Sequence, residues 1–185
     1  MYKKYWPEEK ALREKQAKED LPLVRLKTTK GDIVLELFKD EAPNAVGNFL
    51  TLVDKGFYKD VPFHRVLPYF MAQGGDPTGS GAGGPGYCIP CECRQENARK
   101  HFRGSISMAH AGPDTGGSQF FLTFVPTFFL NNQHTVFGRV VEGMNVLSEL
   151  QRIDPEGENL PAPDKILDAK IERGKPFSFK KLPSR

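Results

Sequence analysis

Short apolar segments separated by turn residues are the feature that most limits the folds open to this chain. "LVRLKTT" and "DIVLELF" each alternate apolar and polar residues, with Lys30-Gly31 between them. This pattern predicts a hairpin with one buried face. Further short apolar runs are "PFHRVL", "YFMAQGG", "GSISMAHA", "QFFLTF", "HTVFGRV" and "KILDAKIER". Many short strands with few helices predict an antiparallel barrel or sandwich.

Two segments have helical periodicity instead. "APNAVGNFLTLVDKG" spaces Val46, Phe49, Leu50 and Val53 at helical intervals, and Gly56 predicts the stop of this helix. "VEGMNVLSELQRI" is the second predicted helix, and it ends before the polar, Pro-rich stretch "DPEGENLPAPD". We expect the two helices to cover the open ends of the β structure.

The length of 185 residues suits one compact domain, which we place at residues 22–175. Residues 1–21 are mostly charged, and "EEKALREKQAKE" contains good helix formers. Only Ala11, Leu12 and Ala17 could face a core, so we expect a solvated helix or a disordered arm there. Residues 176–185 are predicted to be a C-terminal tail.

Composition argues against several classes of protein. A net charge of +3 is too small to indicate nucleic-acid binding, and the longest apolar run, "QFFLTFVPTFFL", is too short to span a membrane. The N-terminus is too charged for a signal peptide. Three cysteines, an odd number, fit a reducing compartment better than a disulfide framework. We therefore expect a cytoplasmic protein.

The stretch "FHRVLPYFMAQGGD" places the cation of Arg65 on an apolar strand, which is costly unless the cation is paired or has a task. Together with "SMAHAGPDTGGSQFFLTF" and "NNQHTVFGRVVEGMNVL", it resembles the cyclophilin family of peptidyl-prolyl isomerases over roughly residues 23 to 173. The resemblance implies a mainly β fold, a closed eight-stranded antiparallel β-barrel capped by two α-helices. It also implies isomerisation of Xaa-Pro bonds in unfolded or flexible protein segments, which assists folding.

The resemblance assigns site residues by position. Arg65 and Gln73 are the implied catalytic residues, with Gln73 expected to orient Arg65 by hydrogen bonding. The implied substrate-binding residues are Phe70, Met71, Ala109, His110, Ala111, Gln119, Phe121, Phe129, Leu130 and His134. His110 stands where the family usually has Asn, and Phe129 where it usually has Trp. Because Phe lacks the N–H donor of Trp, we expect weak cyclosporin binding.

Structural alternatives exist for several of these residues. Arg65 could pair with a carboxylate at a barrel rim, and the apolar site residues could be ordinary core. We interpret His64 as structural and His134 as pocket wall. "GSGAGG" formally matches a dinucleotide-binding pattern, but the extended "PGYCIP" that follows favours a flexible surface loop.

The expected partners and cofactors are few. We expect a monomer that binds proline-containing segments, without nucleic acid, membrane, cofactor or metal. Cys88, Cys91, Cys93 and His101 are the alternative, a zinc site, weighed against three incidental thiols. The alternative function is a non-catalytic proline-peptide binding or scaffold module, and the presence of both Arg65 and Gln73 favours the enzyme.

Overall fold

Antiparallel β-strands are the main regular elements of the structure, a computed structural model that describes residues 1–184. The strands are β1 (Leu23–Thr28), β2 (Gly31–Leu37), β3 (Val61–Pro62), β4 (Arg65–Leu67), β5 (Met71–Gly74), β6 (Tyr87–Cys88), β7 (Ser105–Met108), β8 (Phe120–Thr123), β9 (Val136–Glu142), β10 (Lys165–Arg173) and β11 (Leu182–Pro183). The helices are α1 (Tyr2–Gln16), α2 (Pro43–Asp54) and α3 (Met144–Glu149), with a 3₁₀ turn at Phe128–Leu130. Arg185, the last residue of the predicted tail, lies outside the described residues.

Nine strands form one sheet in the order β3-β10-β1-β2-β9-β7-β8-β5-β4, and β6 pairs separately with β11. The predicted hairpin is present, with Leu26 opposite Ile33 and both side chains buried. The edge strands β3 and β4 are separated by only two residues of chain, so the sheet must curl almost back on itself. The predicted mainly β, antiparallel fold is confirmed.

Two details of the predicted barrel were wrong. The sheet is strongly curled rather than closed, because within residues 1–184 β3 and β4 do not pair with each other. The outer edge of β4 is taken instead by Ile153, which exchanges two backbone hydrogen bonds with Val66 at 2.7 and 3.0 Å. The sheet has nine strands rather than eight, whereas the two predicted helices are present as α2 and α3.

Helix α2 supplies much of the core, as its periodicity predicted. Val46, Phe49, Leu50 and Val53 are all buried, and the helix ends two residues before Gly56. The start of α2 is capped from a distance, since the buried carboxylate of Glu92 accepts hydrogen bonds from the backbone N–H groups of residues 44 and 45. The helix is thereby fixed to the loop that follows β6.

Helix α3 is shorter than the predicted segment. Val141 and Glu142, at the start of that segment, belong to β9 instead. Gly143 then separates the strand from the helix with a φ of 86°, and a Cβ atom there would lie 2.2 Å from the carbonyl oxygen of Asp32. Only glycine fits this backbone without strain, so the helix begins at Met144.

The N-terminal segment forms helix α1, one of the two expected forms, but the helix is packed against the sheet domain rather than surrounded by solvent. Its contacts come from Tyr2, Tyr5 and Trp6 rather than from the three residues singled out as core candidates. The Trp6 ring lies 5.9 Å from that of Phe102, and the Tyr5 ring lies 5.2 Å from that of Phe128. These aromatic contacts cluster at one end of the helix.

A buried cation holds the rest of α1 in place. The Arg99 side chain is 1% exposed, and its guanidinium lies 2.9 Å from a carboxylate oxygen of Glu9 and 3.1 Å from one of Glu41. It also donates to the side-chain oxygen of Gln16 at 2.8 Å and lies 3.8 Å from the ring centroid of Phe38. A buried charge needs such partners, so α1 and the sheet domain are joined electrostatically as well as by packing.

We expect Arg99→Ala to lower the free energy of unfolding by about 3–5 kcal/mol, because it leaves Glu9 and Glu41 buried together without their shared cation. Urea denaturation would measure this change. The control is Lys10→Ala, since the Lys10–Glu14 pair is exposed at 63% and 68% and should contribute less than about 1 kcal/mol. Equal losses in the two variants would contradict the assigned role of the buried network.

No helix among residues 1–184 combines the length and the apolar character needed to cross a lipid bilayer.

Candidate active site

A cavity of about 940 Å³ opens beside strands β4, β5 and β8. It brings together all of the predicted site residues except Phe129. The predicted residues that line it are Arg65, Phe70, Met71, Gln73, Ala109, His110, Ala111, Gln119, Phe121, Leu130 and His134. Residues that are distant in sequence thus converge on one concave surface, as expected of a ligand site.

Arg65 and Gln73 are directly opposite each other in the β4–β5 pair. Side chains of opposed residues lie on the same face of a sheet, so both point to the cavity. The Arg65 guanidinium lies 6.0 Å from the centroid of the Phe70 ring. Among the described residues no carboxylate forms an ion pair with Arg65. The alternative in which Arg65 pairs with a carboxylate at a barrel rim is therefore not found among these residues.

Gln73 does not hydrogen-bond to Arg65, which corrects the expected role of its side chain. Its amide donates instead to the side-chain oxygen of Gln119 at 3.0 Å. Gln119 in turn donates to the carbonyl oxygens of Gly81 and Gly83 at 2.8 and 2.9 Å. The pair of glutamines therefore links the strand opposite Arg65 to the Gly-rich loop.

The apolar wall of the cavity includes Met71 and Phe121, which are both buried. The Phe121 ring meets His134 edge-on at 5.4 Å. Phe129 behaves differently, because it is 62% exposed and its ring packs 5.7 Å from that of Phe70. Phe129 thus lies at the rim rather than in the wall.

His110 and His134 stack on each other with ring centroids 4.2 Å apart. His110 accepts from the backbone N–H of Gly112 at Nδ1, so its Nε2 carries the proton and donates to the carbonyl of Gln133 at 2.7 Å. Burial lowers the pKa of His134, which favours its neutral form. The two stacked rings form a flat surface beside Phe121.

Asp76 is a residue of the site that the sequence reasoning missed. Its buried carboxylate accepts hydrogen bonds from the backbone of Thr78, Gly81 and Gly83 at 2.6–3.1 Å. Burial opposes ionisation, but these bonds prevail and lower the pKa of Asp76 to about 2. The Gly-rich loop, interpreted from sequence as a flexible surface loop, is held by this carboxylate along the cavity. An Asp directly before a Gly-rich loop was the available signal.

The four zinc candidates do not come together. His101 is fully buried behind Phe121, while Cys91 accepts a hydrogen bond from the backbone of Asp114 at 3.2 Å. Within residues 1–184 no group of three or more His, Cys, Asp and Glu side chains is placed to hold a metal ion. The three thiols are free.

The family model described as "Cyclophilin type peptidyl-prolyl cis-trans isomerase/CLD" matches residues 23–171. This range contains every residue that lines the cavity except Ser184. The chain belongs to the cyclophilin family. Peptidyl-prolyl cis-trans isomerisation is therefore its activity.

Individual cyclophilins are similar over most of the chain. A peptidyl-prolyl cis-trans isomerase of Helicobacter pylori is 56% identical over 131 residues, which cover 70% of this chain and 80% of that protein. A peptidyl-prolyl cis-trans isomerase-like 1 of Neurospora crassa is 44% identical over 153 residues, covering 81% and 94%.

A solved cyclophilin of Cryptosporidium parvum is similar in fold. It aligns with a TM-score of 0.74 and 37% identity, covering 82% of this chain and 98% of that one. The structure determined in the presence of the dipeptide Ala-Pro aligns with a TM-score of 0.73 and the same identity, covering 81% and 98%.

His101, which the sequence analysis considered only as a zinc ligand, supports the cavity of this cyclophilin from behind. Its ring stacks on Phe121 at 6.0 Å with an interplanar angle of 5°. Its Nε2 lies 2.9 Å from the hydroxyl of Ser107 and its Nδ1 lies 3.0 Å from the side-chain oxygen of Asn131. Burial lowers the pKa of His101 to about 4.

The low pKa of His101 predicts an acid-sensitive fold. The unfolded chain takes up a proton at His101 near pH 6.5, whereas the folded chain does so only near pH 4. Stability should therefore fall by about 3 kcal/mol as the pH decreases through this window. His101→Gln removes the titrating group. Between pH 7 and pH 4 the free energy of unfolding of this variant should therefore fall less than that of the wild type, by about 3 kcal/mol in urea denaturation. The contributions of the other histidines are the same in both proteins and cancel in the comparison. An identical loss of stability in the two proteins would refute the pKa assigned to His101.

Proposed function

We propose that this cyclophilin accelerates rotation about Xaa-Pro bonds by seating the proline ring in the apolar part of the cavity beside the Arg65 guanidinium. The observation that carries the proposal is a cation with no carboxylate partner in residues 1–184, next to a wall that includes Met71 and Phe121. The proposed substrates are proline-containing unfolded or flexible protein segments. The Ala-Pro dipeptide in the Cryptosporidium parvum structure supports this class of ligand.

The chemistry requires only a well-placed donor. An Xaa-Pro bond isomerises over a barrier of about 20 kcal/mol, which arises from the loss of amide resonance. As the C–N bond twists, the prolyl nitrogen becomes pyramidal and its lone pair becomes available. A donor aimed at that nitrogen stabilises the twisted state more than the planar ground state. Arg65 is such a donor, and its guanidinium stays charged at any working pH.

Magnitudes indicate that Arg65 acts together with the pocket. A 10⁵-fold acceleration requires about 7 kcal/mol, whereas one charged hydrogen bond contributes about 1.5–3 kcal/mol. The remainder must come from fixing the ring in an apolar site and holding the peptide on either side of it. Within residues 1–184 the backbone N–H and carbonyl of His110 form no backbone hydrogen bond, so both are available to a bound peptide.

Gln73 is proposed to act on Arg65 indirectly. Its amide is engaged with Gln119, and Gln119 holds Gly81 and Gly83 of the Gly-rich loop. Gln73 thus keeps the surface opposite Arg65 in a fixed position.

The alternative of a non-catalytic binding or scaffold module predicts only the uncatalysed rate in a protease-coupled assay on a short Xaa-Pro peptide. We further propose that the protein is a monomer and that it is cytoplasmic. The free thiols support the cytoplasmic location.

Arg65→Ala should lower kcat/KM by roughly ten- to a hundred-fold, because it removes one charged donor of the twisted state. Ground-state peptide affinity and melting temperature should change little, since Arg65 is only half-buried and has no ion pair within residues 1–184. Arg65→Lys keeps the charge but loses the planar fork, so it should restore activity only in part. The isomerase rate and the melting temperature are measured on the same preparation.

The matched control is Arg103→Ala, because Arg103 is exposed and lies outside the cavity. It should retain full activity. A stable Arg65→Ala protein with normal turnover would refute the mechanism, and a loss of melting temperature with normal turnover in the folded fraction would assign Arg65 a structural role.

Cyclosporin binding is proposed to be weak, because Phe129 offers no hydrogen-bond donor at the cavity rim. Phe129→Trp supplies an indole N–H at the same exposed position. It should bind cyclosporin more tightly by about the worth of one hydrogen bond, roughly three- to ten-fold, while peptide turnover stays near that of the wild type. Calorimetric titration of both proteins measures the difference, and equal affinities would rule out the explanation.

A further inference from the structure

The segment that follows β10, residues 174–184, lies outside the range matched by the family model and returns to the cavity. Two contacts fix its path across α2. The Phe177 ring lies over Gly47, where an added Cβ would come within 3.0 Å of it. The backbone N–H of Lys180 donates to the side-chain oxygen of Asn44 at 2.8 Å. We call residues 174–184 the return segment.

Tyr87 anchors the last part of the return segment. Its ring lies 5.9 Å from that of Phe179, and the ammonium group of Lys181 lies 4.4 Å from its centroid. Strand β11 then pairs with β6, which places Leu182 opposite Cys88 and Pro183 opposite Tyr87. The return segment is therefore held by backbone pairing as well as by side-chain packing.

This anchor is connected to the cavity wall. The Tyr87 hydroxyl donates to Asn48 at 2.7 Å, and the Asn48 amide donates to the carbonyl of Gly117 at 2.7 Å. Gly117 and Tyr87 both line the cavity, as does Ser184 at the end of the return segment. Ser184 thus shares the part of the cavity built by β6 and the Gly-rich loop, whereas Arg65 belongs to the part built by β4, β5 and β8.

We propose that the return segment is an added wall of the substrate groove, and that Ser184 is a specificity-determining residue for peptide positions away from the proline. This inference rests on the proposed function. The cavity of about 940 Å³ is far larger than one proline ring requires, so a longer peptide can extend from the Arg65 part toward Ser184. The cavity lining of the Ser184 part, which consists of Gly81 to Gly86, Tyr87, Cys88 and Ser184, contains no Asp, Glu, Lys or Arg, and the nearby ammonium group of Lys181 lies over the Tyr87 ring. A charge placed at position 184 should therefore select for the opposite charge on the peptide.

The test uses Ser184→Glu and Ser184→Lys in the full chain. The substrates are ten-residue peptides that contain one proline and a single Glu or Lys, placed two to four residues before or after it. Ser184→Glu should raise kcat/KM for the Lys peptides and lower it for the Glu peptides by about two- to five-fold, and Ser184→Lys should do the reverse. The effect should appear on only one side of the proline and should weaken at high salt.

Two controls make the result decisive. Ser178→Glu and Ser178→Lys introduce the same charges in the same segment, but Ser178 is exposed and lies outside the cavity lining, so they should leave the peptide preference unchanged. An uncharged tetrapeptide should be turned over equally by all variants. Equal effects at positions 178 and 184, or no reciprocal effect at either, would overturn the inference while tetrapeptide turnover persists. A wild-type protein that fails to accelerate the tetrapeptide would instead overturn the proposed function.

Discussion

The register of β5 between β4 and β8 determines which side chains of these three strands face the cavity. It places Arg65, Gln73 and Phe121 in one row across three strands, and β7 adds Ser107 to that row. Residues in such a row share a face of the sheet, so the cation, the amide and the apolar wall are delivered to the cavity together. A slip of one residue in any of these pairings would turn the affected side chains to the opposite face.

Side chains next to this row hold its members in position. His101 lies 2.9 Å from the Ser107 hydroxyl and stacks on the back of Phe121, so it fixes two members of the row at once. Gln73 donates to Gln119, which lies two residues before Phe121 and outside the row, rather than to Arg65. The guanidinium is left without a competing carboxylate among the described residues, which is the condition that the proposed mechanism requires of a donor to the twisted amide.

Local patterns predicted the elements whose burial follows one period. The β1–β2 hairpin alternates, and Phe49 and Val53 of α2 recur at helical intervals, so both could be read from the sequence. The residues that the resemblance to cyclophilins assigned to the site, apart from Phe129, line one cavity, since motif spacing fixes their order along the strands. These predictions needed no knowledge of contacts between distant segments.

The features that were missed depend on such contacts. Glu9 and Gln16 are polar, and they are buried only because Arg99 meets them from 90 and 83 residues away. No periodicity in "EEKALREKQAKE" encodes that partner. The path of the return segment is likewise decided by Gly47 and Tyr87, which lie far back in the chain. The role of Asp76 could have been predicted more easily, because its hydrogen bonds are made to residues that follow it closely in the sequence.

The pairing of β1 with β10 has a consequence for the order in which the chain is made. Leu23 lies opposite Arg173, so β1, which is made before the other strands of the large sheet, has a partner that is synthesised last among them. At roughly 5–20 residues per second, one edge of β1 waits about 10–30 s for its neighbour. An unpaired edge invites pairing with other nascent chains. Arg25 on β1 is paired with Asp32 of β2 at 3.2 Å, so Lys27 is the residue that leaves a positive charge on that edge, and charged side chains on an edge strand discourage pairing with other chains.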